Sequence, residues 1–104
     1  MAFEQNKPLL ANPDIVFRKE EAGAFLFDPN TGELKCLNPM GSFIWLLCDG
    51  SLSLVQIQQK ISKQYPHIPR ETVLQELQAF LQDLFHMGYV GYGLADGSVQ
   101  DSHE

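Results

Sequence analysis

The dipeptide Asn38-Pro39 most constrains what this chain can fold into, because the apolar period changes there. Before it, Ile15-Val16-Phe17, Ala24-Phe25-Leu26-Phe27 and the alternating Glu33-Leu34-Lys35-Cys36-Leu37 have the β-branched, aromatic and period-two character of strands. After it, Met40, Phe43, Ile44 and Leu47 recur at helical spacing. Asn caps a helix well because its side-chain oxygen accepts an N–H of the first turn. Pro suits the first helical position, where its missing N–H costs nothing.

The strands are joined by turns with a chemical reason. In Asp28-Pro29-Asn30-Thr31-Gly32, Asp bonds the backbone ahead, Pro presets φ and Gly accepts positive φ. Three short strands so connected predict an antiparallel meander. Asp49-Gly50 is expected to stop the first helix and turn the chain. Ser53 opens a second helix carrying Leu54, Ile57, Ile61 and Tyr65 on one face. Pro66 and Pro69 bracket the link to a third, from about Arg70 to Met87, with Gly88 as its C-terminal cap. Tyr89-Val90-Gly91-Tyr92 adds an extended piece. The expectation is therefore an α+β, winged-helix-like domain over residues 14–93, a three-stranded antiparallel sheet followed by three helices. Residues 1–13, polar and with Pro8 and Pro13, are expected to be a flexible arm, and residues 94–104 a disordered tail.

Charge and motif content narrow the function. Seven Lys and Arg against thirteen Asp and Glu give a net charge of −6, which repels a phosphate backbone. The alternative of a winged helix-turn-helix DNA-binding regulator would need cations on the third helix, yet after Arg70 that helix carries Glu71, Glu76 and Asp83 and no Lys or Arg. His67, His86 and His103 have no carboxylate at ligand-like spacing, and neither HExxH nor GxSxG occurs, so no catalysis and no cofactor or metal are expected. Cys36 and Cys48 form no CxxC and are read as reduced, core-filling thiols. With no signal peptide and no apolar run of ~20 residues, a cytoplasmic location and no membrane partner are expected.

Several segments together resemble the PqqD-like family. They are Leu37-Asn38-Pro39-Met40-Gly41, Ile44-Trp45 and Leu47-Cys48-Asp49-Gly50, flanked by the Asp28-Pro29…Gly32 turn and by Phe80-Leu81…Leu84…Gly88-Tyr89-Val90. The resemblance implies a peptide chaperone that recognises the leader of a ribosomally made precursor peptide. It would present that peptide to a modifying enzyme, often a radical S-adenosylmethionine protein. It also implies that the leader adds as a strand beside the third strand and lies between that strand and the third helix.

The residues accommodate such a site. A sheet edge offers unpaired N–H and C=O groups to a partner strand. Alternation along Glu33, Leu34, Lys35, Cys36 and Leu37 is expected to turn Leu34 and Cys36 to the core and the other three away from it. The apolar stripe of the third helix spans about 160°, wider than the ~100° a core-facing helix minimally needs. Its surplus flank, Leu74, Gln78, Leu81 and Phe85, is expected to form the second wall of the groove. The arm leaves a homodimer by exchange between copies open.

Overall fold

The side chain of Asn38 opens the first helix. In the computed structural model, which describes residues 6–21, 23–93 and 99–100, its Oδ1 accepts the Gly41 N–H at 2.7 Å. The helix, α1, runs Pro39–Leu47. Ser53 and Gln56 form a reciprocal capping box at the start of α2, Leu54–Gln64. After the short connection, α3 spans Arg70–Met87 and closes on Gly88 at φ 75°, a left-handed conformation that suits glycine.

The strands are β1 Pro8–Ala11, β2 Val16–Glu20, β3 Gly23–Phe27, β4 Leu34–Leu37, β5 Asp49–Ser53, β6 Val90–Gly93 and β7 Val99–Gln100. They form two antiparallel sheets, ordered β2-β3-β4 and β5-β1-β6-β7. The first is the expected meander, and the architecture is α+β.

The second sheet departs from expectation in three places. Residues 8–11, expected in the arm, are an interior strand between β5 and β6. Pro8 is tolerated because it stands first in the strand, and the partners that order β1 lie far away in sequence. Asn12 fastens this end: its amide donates to the Tyr89 carbonyl at 2.8 Å, and its Nδ2 to the Gly88 carbonyl at 3.1 Å. Asp49-Gly50 ends α1 but begins β5 rather than a turn, with Gly50 at φ 90°. Within the expected tail, Val99 and Gln100 pair with β6; residues 94–98 and 101–104, including His103, lie outside the described residues.

One core joins both sheets to the helices. On α3, Val73, Leu77, Leu81 and Leu84 have no exposed surface, and Phe85 is nearly as deep. Leu26, Leu37, Ile44, Trp45, Ile57, Ile61, Leu9 and Val90 pack into the same cluster. Of the two aromatic and aliphatic neighbours on α1 that lie off its expected face, Trp45 is buried and Leu46 is 60% exposed. The two cysteines differ. Cys48 fills the core as expected, its thiol donating to the Ile44 carbonyl, and burial, with Asp49 beside it, pushes that thiol up to about 12. Cys36 is exposed instead.

Two outcomes test this core. Leu81→Ala is expected to lower the unfolding free energy by about 2–5 kcal/mol in urea titrations, while Leu46→Ala stays within about 0.5 kcal/mol. A thiol reagent at pH 8 should label Cys36 in the native protein and Cys48 only in urea. The unfolded Cys48 thiol ionises from its ordinary 9.0 while the folded one holds its proton to about 12. Its contribution to stability is therefore lost as pH rises across that window, and the urea midpoint should fall more steeply there than in Cys48→Ala.

Candidate functional site

Strand order leaves β4 with a neighbour on one side only. The Asp28 N–H donates to the Glu33 carbonyl at 3.0 Å, and the register pairs Leu26 with Lys35 and Ala24 with Leu37. Antiparallel bonds alternate along a strand, so Glu33, Lys35 and Leu37 turn their backbone groups towards β3. The N–H and C=O of Leu34 and Cys36 consequently point to the free edge. No described strand meets them there.

Side chains alternate in the same rhythm, with the opposite sense to that expected. Leu37 is buried and Lys35 half-buried on the inner face, level with the buried Ala24 and Leu26; Leu34, at 56% exposure, and Cys36 face outward. Alternation alone left two phases open. The helices cover the face that carries Ala24 and Leu26, and this fixes the phase. Glu33 is exposed just ahead of β4, its N–H donating to Thr31 Oγ1 at 3.2 Å.

The helical wall beside this edge is not the flank expected either. Lys35 Nζ stands 5.8 Å from the centre of the Phe80 ring, within cation–π range. Phe80, Ala79 and Glu76 of α3 meet Asn38, Met40, Gly41 and Ile44 around a pocket of about 250 Å³. A Cβ on Gly41 would lie 3.5 Å from two Phe80 ring carbons, an ordinary contact, and 3.2 Å from Asn38 Oδ1, so the group it would crowd is the cap oxygen of α1.

The other flank belongs to the second sheet. Leu81 and Phe85 are buried, and the Phe85 ring lies 5.3 Å from Tyr92 of β6. Leu74 and Gln78 are half-buried. On a helix with 100° per residue, Leu74, Gln78 and Phe85 lie on one side of the Leu77–Leu84 line and Phe80 and Glu76 on the other. The structure thus brings Lys35 together with Phe80 but leaves Leu74, Gln78, Leu81 and Phe85 outside the edge groove. The broad stripe reflects a helix packed against both α2 and the second sheet.

The electrostatics of the edge are mild. Tyr89, whose hydroxyl is buried without a hydrogen-bond partner among the described residues, has its pKa raised by burial and by the Glu33 and Asp28 carboxylates. Among the described residues no cluster of three His, Cys, Asp or Glu side chains is placed to hold a metal. No described helix is long and apolar enough to cross a membrane. An edge of this kind can take up an extended backbone.

Comparison with known proteins bears on the same region. No curated protein matches the chain by sequence. Among solved structures, TbiB1 in complex with the TbiA(beta) leader peptide is 25% identical with a TM-score of 0.68, covering 78% of this chain and 93% of that one. Lasso peptide synthetase B1 complexed with the leader peptide is 21% identical with a TM-score of 0.69, covering 79% and 95%. The heterocyclase TruD is 19% identical with a TM-score of 0.62; the match covers 88% of this chain but 12% of TruD. The model of the family described as coenzyme PQQ synthesis protein D matches residues 23–90, which hold β3, β4, all three helices and hence the whole edge groove. With that match spanning most of its length, this chain belongs to the PqqD family.

Proposed function

We propose that this protein is a non-catalytic recognition element that binds the leader of a ribosomally made precursor peptide as an added strand on β4. The observation that carries the reading is the free edge at Leu34 and Cys36 standing beside the Phe80 wall. It is supported by the family match and by the leader peptide bound to TbiB1. The partner that receives the presented peptide is a modifying enzyme, and the family resemblance favours a radical S-adenosylmethionine protein for that role.

Magnitudes fit a transient hold. Four edge groups on Leu34 and Cys36 at ~1 kcal/mol each give about 4 kcal/mol. Two leader side chains buried against Lys35, Phe80 and the adjoining pocket add about 4 kcal/mol. Ordering a flexible peptide removes ~2–5 kcal/mol. The remainder, about 3–6 kcal/mol, corresponds to a Kd between tens of micromolar and several millimolar. Such a carrier releases its cargo readily.

The direction of the backbone groups makes a sharp test. Proline has no N–H to donate, and an edge strand tolerates it where that N–H faces solvent. Cys36→Pro is therefore expected to keep the native circular dichroism yet weaken binding of the cognate leader at least about tenfold, as one lost bond and a lost steric fit combine. Lys35→Pro removes a bond to β3 and should lower the melting temperature instead. Both are read by melting curves and by titrating the leader into labelled protein while recording amide shifts. Leader binding unchanged in Cys36→Pro would move the site away from β4.

A further inference from the structure

The outer face of the β2-β3-β4 sheet carries apolar rows that run to the free edge. Register places Val16, Phe27 and Leu34 in one cross-strand row and Arg18, Phe25 and Cys36 in the next. Val16 at 41% and Leu34 at 56% are two of the three exposed large hydrophobic residues among those described. Phe25 and Phe27 are half-buried and stand outside the core cluster, whereas Phe17, on the other face of β2, packs against it. Along the first row exposure is lowest at Phe27 in the central strand and highest at Leu34, on the strand whose outer side is unpaired.

An added strand has no freedom to avoid this face. Side chains alternate across a strand, and cross-strand neighbours share a face. Any peptide on β4 must set every second side chain beside the outer ends of these rows. The backbone geometry ties this to binding, because Leu34 and Cys36 offer the edge hydrogen bonds and also carry the outward side chains. We infer that the leader is read on both faces: Leu34, backed by Phe27 and Val16, selects an aliphatic or aromatic leader side chain on the outer face, in addition to the residues taken up on the Phe80 side. Cys36, smaller and in a row that ends at Arg18, is the permissive position. The inference rests on strand addition at β4, and the continuity of the apolar row with that edge names the leader as its occupant.

The test uses a displayed library of random decapeptides selected against the full chain, and then against Leu34→Thr and Cys36→Pro. Threonine favours strands and Leu34 is exposed, so the fold should persist, as circular dichroism would verify. The expected binders favour apolar residues in two interleaved alternating sets. Leu34→Thr should abolish the preference at one outward position only. In fluorescence anisotropy, an Ile-to-Ala change at that position should weaken binding by up to about fivefold against wild type and hardly at all against Leu34→Thr. Binders with apolar preference in a single alternating set, indifferent to Leu34→Thr, would overturn outer-face selection while leaving strand addition intact. Binders held equally well by Cys36→Pro would overturn strand addition itself. A dimer of the free protein that Leu34→Thr dissociates, seen by sedimentation, would give the face to a second copy and also overturn the inference.

Discussion

Removal of the α3 stripe from water is the interaction on which the rest of this structure depends. Val73, Leu77, Leu81 and Leu84 are without exposed surface, and at roughly 1.5–3 kcal/mol per side chain their burial is a large share of a small domain's stability. Because α3 is packed against α2 and β6, with its central residues in the common core, the helix cannot spare its centre. What it can offer is the flank next to β4 and α1, where Phe80 sits against the bare backbone of Gly41 and under Lys35. The position of the groove follows from how the core is filled.

The sheet edge is made available by the same packing. Helices cover the inner face of the meander, and β2 and β3 supply its other strands, so β4 keeps a border with only one partner. Exposed edges invite indiscriminate pairing. Here the edge is four residues long, and Lys35 lies within it, its charge drawn inward over an aromatic ring. Shortness limits affinity and charge limits stickiness.

The second sheet fastens the two ends of the domain. β1 lies between β5 and β6, and Asn12 ties the strand's end to the carbonyls of Gly88 and Tyr89 just beyond α3. These contacts close long loops, whose entropic cost grows only slowly with length. They brace α3 on the side away from β4, so the Phe85 flank is occupied by Tyr92 and the Phe80 flank is left facing Lys35 and α1. In TruD a comparable fold makes up a small part of a large chain, whereas nearly the whole of this chain is taken up by it.

Local chemistry alone determined much of this protein. The Asn38-Pro39 start of α1, the Ser53 capping box of α2, the Gly88 stop of α3 and the Asp28–Gly32 turn each involve residues within a few positions of one another, so their hydrogen bonds are written in adjacent letters. The family signature is carried by the same letters. Tertiary structure decided the rest. Period-two alternation cannot say which face of β4 is inward until a helix is laid on it, and a broad helical stripe cannot say whether its excess faces a ligand or a second sheet. Nor can Pro8–Ala11 reveal a strand whose partners are β5 and β6, because hydrogen bonds across such separations depend on where the folded chain brings the segments together.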